Sequence, residues 1–185
     1  MLTLQQIIDE ADAMVPNEFD LATKVSWLNN INQDFFNVVK IPAVTTFTTS
    51  TASTYTLPND VRMKNVDKVI VGSMQYRSFP EDDVQPLQNY WTFNDSTHVL
   101  TLSPAPYKTN LSGIVRYHRI ATTTFLSSNM SAIPDAPEEY HWTFIPALCE
   151  QICLAMDDPK MANFNQQYTS AWNVAALNYQ AGGTP

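Results

Sequence analysis

Ile133-Pro134-Asp135-Ala136-Pro137-Glu138-Glu139-Tyr140 opens a stretch that runs to Met156 and sets Tyr140, Phe144, Ile145, Leu148, Cys149, Ile152, Cys153 and Met156 at helical spacing. A stripe that wide belongs to a buried helix around which other elements pack. Pro137 suits the first helical position, where its missing N–H costs nothing, and Glu138 and Glu139 lie favourably against the positive end of the helix dipole. Pro146 falls well past that first turn and removes a backbone bond at a cost of about 3 kcal/mol or more, so the spacing predicts a kink there.

Upstream, residues 1–42 read as two helices. Thr3 and Gln6 form a capping-box pattern, and Leu4, Ile7, Ile8, Ala11 and Met14 or Val15 keep helical spacing up to Pro16. Asp20 can cap a second helix whose stripe is Leu21, Val25, Leu28, Ile31, Phe35 and Val38 or Val39, and which stops before Pro42. From Ala43 the chain turns β-branched, with strand signals at 44–51, 55–57, 66–71, 74–79, 90–93, 98–102 and 113–119. Asn94-Asp95-Ser96-Thr97 reads as a hairpin connection, and the runs are antiparallel in pattern. Residues 122–129, rich in serine and threonine, form a surface crossing back to the helical part. Downstream, Asp158 caps a last helix with Pro159 at its first position. Met161, Phe164, Tyr168, Ala171, Trp172, Ala175 and Tyr179 share one face of it. Ala181-Gly182-Gly183-Thr184-Pro185 reads as a flexible tail. The expected class is α+β: a helical bundle of two N-terminal and two C-terminal helices from 1–42 and 130–185, with an antiparallel β insertion at 43–129.

Composition narrows the function. At 44% hydrophobic and 11% aromatic residues the chain is no disordered polymer, and no apolar run approaches the ~20 residues of a membrane span. The start Met1-Leu2-Thr3-Leu4-Gln5 has no basic region or long apolar core of a secretory signal, so folding in a cytoplasm is expected. A net charge of −8 argues against a surface that grips phosphates, and only four glycines leave no phosphate loop or dinucleotide turn. No cofactor is expected.

Candidates for chemistry are sparse. His98, His118 and His141 are scattered, there is no GxSxG elbow, and Cys149 with Cys153 read as buried thiols rather than metal ligands. Glu81-Asp82-Asp83, like Asp157-Asp158, could meet a divalent cation, though the spacing matches no calcium loop. A small acidic hydrolase built on Asp82 and Asp83 therefore stays open. Tyr90, Trp91 and Phe93 could form a sugar platform if exposed together, which keeps a carbohydrate-binding accessory domain open as well.

Several short stretches carry a resemblance. They are Leu4-Gln5-Gln6-Ile7-Ile8-Asp9 with Val15-Pro16-Asn17, Lys24-Val25-Ser26-Trp27-Leu28-Asn29, Tyr55-Thr56-Leu57-Pro58, Leu102-Ser103-Pro104-Ala105-Pro106, Pro134-Asp135-Ala136-Pro137-Glu138-Glu139-Tyr140 and Asp157-Asp158-Pro159. In this order, over nearly the whole chain, they resemble the head-to-tail adaptor proteins (connectors) of tailed bacteriophages. The resemblance implies a non-enzymatic virion protein of the phage neck, assembled in the host cytoplasm as a ring, usually a dodecamer. It implies a portal protein on one side, a downstream tail or neck protein on the other, and DNA passing through the lumen without specific binding. It further implies portal contact at Trp172, Tyr179, Ala181, Gly182, Gly183, Thr184 and Pro185. The tail component would meet the acidic loop at Glu81, Asp82 and Asp83, and no membrane is involved.

Overall fold

The computed structural model describes residues 1–79 and 89–181, and its first helix, α1 (Leu4–Met14), starts where the sequence sets a cap. The Thr3 N–H donates to Gln6 Oε1 at 2.9 Å while the Gln6 N–H donates to Thr3 Oγ1 at 3.3 Å. Helix α2 (Leu21–Val38) is capped by Asp20, whose Oδ1 accepts from the Thr23 N–H at 2.7 Å. Where the spacing left a choice, burial decides it. Val15 and Val39 are buried whereas Met14 and Val38 are exposed.

The chain divides into two compact units, one made of Met1–Lys40 with Ala121–Gly183 and the other of Ile41–Ile120. In the first, a 3₁₀ helix (Glu138–Thr143) leads into α3 (Phe144–Ala155), and α4 (Met161–Ala181) follows. The expected single kinked helix is thus two elements. Pro137 stands one residue before the 3₁₀ turn, and Pro146 occupies the first turn of α3, where an N–H has no helical partner to lose. Pro146 therefore stands at the start of a helix and not in the interior of one. At the far end Asp157 takes a left-handed φ of 55°, and the Asp158 N–H donates to the Cys153 carbonyl at 2.8 Å, closing α3. Helix α4 starts later than Pro159 predicts, because 159–160 form a turn in which the Lys160 N–H donates to Asp158 Oδ1 at 2.9 Å.

Six consecutive residues of α3, Phe144 to Cys149, are buried, as are Ile152 and Cys153. Six residues exceed a full helical turn, so the first half of α3 is enclosed on every side, among α1, α2 and α4. Phe35 of α2 is a hub: its ring lies 5.4 Å from Trp172, 5.7 Å from Tyr140 and 6.3 Å from Phe144. Burial of each such side chain contributes about 1.5–3 kcal/mol.

Two asparagines of α2 hold the returning chain. Asn29 exchanges hydrogen bonds with the backbone of Phe125 at 2.7 and 3.0 Å, and the fully buried Asn32 donates to Asp135 at 2.8 Å. Asp135 also accepts from the backbone N–H groups of Thr122 at 3.0 Å and Thr123 at 2.9 Å. Its burial works to raise the carboxyl pKa, but the bonds from Thr123, Asn32 and Thr122 outweigh it and hold the group below its ordinary value.

The second unit is a seven-stranded sheet in the order β1-β7-β3-β4-β5-β6-β2. Its strands are β1 (Pro42–Thr48), β2 (Thr54–Thr56), β3 (Val66–Val71), β4 (Met74–Ser78), β5 (Tyr90–Asn94), β6 (Val99–Ser103) and β7 (Ser112–His118). All neighbours are antiparallel except β4 and β5, which run parallel, so the sheet is mixed where a wholly antiparallel one was expected. The connection between those two strands contains 80–88, and a link longer than a tight turn lets the second strand re-enter in the same direction. A flat sheet of this order would hold its edges roughly 29 Å apart. Phe47 of β1 and Tyr55 of β2 instead stack at 4.3 Å, so the sheet curls round one core of Trp91, Leu100, Leu102, Val69, Val115 and Tyr117.

Two measurements test this packing. A Cβ on Gly113 would lie 2.3 Å from the Phe47 ring, so Gly113→Ala should lose about 1–3 kcal/mol in urea denaturation, and Phe47→Leu in the same chain should restore part of it. Asp135→Asn should lose about 1–3 kcal/mol at neutral pH. Because the folded carboxyl titrates below its unfolded value of about 3.9, that deficit should be complete above it and close as the pH falls from about 5 toward 3.

Candidate functional site

The surface that the resemblance assigns to a partner is the end of α4, and its inner face fixes how the helix presents itself. Trp172 is buried, with its indole N–H donating to Thr143 Oγ1 at 2.9 Å and its ring 4.7 Å from Tyr168. The Tyr168 hydroxyl donates to Glu150 at 2.6 Å, and Asn165 donates to the other oxygen of that carboxylate at 2.7 Å. Burial first, then the bond to Glu150, raises the Tyr168 hydroxyl well above its ordinary value, so it stays a donor at any physiological pH. These contacts lock α4 to α3.

Trp172 therefore belongs to the core, and Phe164 and Ala175 accompany it, while Tyr179 is half-buried and Met161 is exposed. Reading the stripe from spacing alone overlooked what α4 turns outward. Val174 is 56% exposed and Leu177 64%, three residues apart on one face. Apolar residues off the counted stripe were the available signal. The Ala181 side chain, Gly182, Gly183, Thr184 and Pro185 lie outside the described residues, as do Glu81, Asp82 and Asp83.

The other candidates each have neighbours of their own. His98 Nδ1 lies 3.1 Å from Arg62, and His118 Nδ1 lies 3.1 Å from Asp67. His141 is buried: its Nδ1 accepts from the Leu2 N–H at 3.3 Å, so its Nε2 carries the hydrogen donated to the Ala136 carbonyl at 2.8 Å. Each histidine is thus engaged with a local partner. Among the described residues no group of three or more His, Cys, Asp or Glu side chains could hold a metal ion. The sugar platform does not form, because alternation along β5 buries Trp91 and Phe93 while Tyr90 turns to the other face and stacks on Phe79 at 5.0 Å. Among the described residues no helix is long and apolar enough to cross a membrane.

Both cysteines are buried and free, with Cys149 Sγ 3.8 Å from the Ala11 carbonyl. Burial, then the neighbouring Cys153 sulfur and the Asp12 carboxylate, push the Cys149 thiol up to about 12, and burial likewise raises Cys153. A thiol in that state is not a nucleophile near neutral pH.

A family model described as SU10 adaptor protein matches residues 2–184 of the chain. No curated protein matches it.

The thiols give a direct check of the packing around α3. Iodoacetamide at neutral pH should leave Cys149 and Cys153 unmodified in the native protein and alkylate both after unfolding in guanidinium, as read by intact mass. Native alkylation of Cys149 at the rate of free cysteine would contradict the burial described.

Proposed function

The chain belongs to the SU10 adaptor protein family, and from that premise we propose that it is a structural virion protein of a bacteriophage neck. In this reading copies assemble as a ring, a dodecamer, between the portal and the next tail component, and DNA passes through the lumen. The observation that carries the proposal is the family match across residues 2–184. Physical features support it. The chain's net charge of −8 opposes adhesion of a passing polyanion. The histidines and thiols are consumed by packing and local bonds, which accords with a structural role.

Portal contact is proposed at Tyr179 and the residues after Gln180, extended by the exposed Val174 and Leu177. Trp172 serves this surface from beneath, by fixing α4 against Thr143 and Phe35. The geometry supports a division of labour between two faces of α4, one anchored by Phe164, Tyr168, Trp172 and Ala175 and the other turned outward at Val174 and Leu177.

Two outcomes are expected. Native mass spectrometry should find the free protein mainly monomeric and the portal-bound protein a closed ring, and no association with the cognate portal would refute the assignment. Truncation after Asn178 should change stability by no more than about 1 kcal/mol, since helix ends contribute little, while abolishing portal binding. Full-affinity binding by the truncated chain would move the portal surface elsewhere.

A further inference from the structure

Charge is unevenly shared between the two units. Met1–Lys40 with Ala121–Gly183 holds twelve acidic and three basic residues, a formal −9, whereas Ile41–Ile120 holds six acidic and seven basic, a formal +1. On the β unit the cations are also arranged. Strand register sets Arg116 of β7 between Val44 of β1 and Lys68 of β3. The pairing of Val69 with Tyr76, carried one step on, brings Arg77 of β4 beside Lys68. Val69, Val115 and Tyr76 point into the core, so alternation sends Lys68, Arg116 and Arg77 to the opposite face.

Three cations thus stand in one row across three neighbouring strands, at strand spacings of about 4.8 Å. Like charges directly opposite one another destabilise a sheet, so the row is a local liability in the isolated chain. Nothing within the described β unit relieves it, since none of its carboxylates lies within ion-pair distance of Lys68, Arg77 or Arg116. The Arg116 Nε is shut off from solvent without an acceptor. The three carboxylates of the described β unit are engaged elsewhere: Asp60 accepts from the Tyr117 hydroxyl at 2.9 Å, Asp67 faces His118 at 3.1 Å, and Asp95 accepts from the Met63 N–H at 2.7 Å.

We propose that this face, with the Lys68, Arg77 and Arg116 row at its centre, docks on the acidic helical unit of a neighbouring copy. The proposal rests on the ring reading above and names the two surfaces that meet in it. A head-to-tail contact between unlike surfaces is the kind that closes into a ring. The −9 unit supplies carboxylates in every copy, which makes the pairing self-sufficient and salt-sensitive. The row is also bordered by Val44, which is 42% exposed, and by the half-buried Ile70 and Ile114. An apolar border suits a folded protein surface better than a phosphate backbone, whose contacts are polar.

The test mixes heavy-isotope-labelled and unlabelled full-length protein, with and without the cognate portal, and treats it with a carbodiimide that joins amines to carboxylates in direct contact. Expected are mixed-isotope crosslinks from Lys68 to carboxylates of residues 1–40 or 121–181, suppressed by high salt. The exposed substitution Arg77→Glu should weaken self-association by about tenfold or more while leaving the melting temperature of the monomer unchanged. Arg116→Glu, checked for folding by circular dichroism, should act in the same direction. Assembly without Lys68 crosslinks, or assembly indifferent to Arg77→Glu, would overturn this interface and leave the ring reading standing. No assembly even with portal present would overturn both. Protection of Lys68 from acetylation by random-sequence duplex DNA, but not by added protein, would overturn the proposal in favour of a nucleic-acid contact.

Discussion

The first half of helix α3, residues 144–149, is apolar round its whole circumference, and that one constraint organises the helical unit. A helix with a single apolar face can lie on a surface, but one whose residues 144–149 are all buried must be surrounded. Helices α1, α2 and α4 meet that demand: Phe35 and Trp172 pack at its start, against Phe144 and Thr143, and Leu4, Ile7 and Leu28 are fully buried in the same unit. Close approach is possible because small groups sit at the contacts. Ala11 and Ala175 are fully buried, and the Cys149 sulfur reaches within 3.8 Å of the Ala11 carbonyl. The same enclosure explains why the thiols titrate high and why Trp172 cannot double as an exposed anchor.

Enclosing α3 forces polar groups inside, and the structure satisfies them locally. Lys24, nearly buried, reaches Asp12 at 2.8 Å and ties α2 to α1. Asn29 and Asn32, three apart and so on one face of α2, bond the returning segment at Phe125 and Asp135. An unsatisfied buried amide would cost about 1–3 kcal/mol, so these pairs fix where the segment runs as well as that it is held. The first-turn N–H groups of α1 are met in the same way, by the carbonyls of Ala132 and Met130 at 2.9 and 3.1 Å.

What the sequence made legible were features written over short spans. The Thr3 and Gln6 box, the Asp20 cap, the stripes of α1 and α2 and the strand runs depend on neighbours a few residues apart, and all are present. Features set by tertiary contact were not. Pro146 reads as a helix interior residue until the 3₁₀ turn at Glu138–Thr143 moves the start of α3 to Phe144. The parallel register of β4 with β5 depends on a connection whose path no local pattern specifies. On α4 the aromatic stripe was visible, yet nothing in its spacing separates a core Trp172 from an exposed Leu177; burial by Phe35 and Thr143 makes that distinction.

Folding consumes some charged groups and leaves others over, and the two units differ in what is left. In the helical unit polar side chains such as Lys24, Asn32, Asp135 and Glu150 are consumed as internal fasteners, and what remains outside is acidic with isolated apolar residues such as Val174 and Leu177. In the β unit the described carboxylates are consumed and the remainder is cationic. A charge pattern that is segregated by unit, set in register across three strands and unfavourable to the sheet that carries it is not one that folding selects, and that supports the assembly contact proposed above.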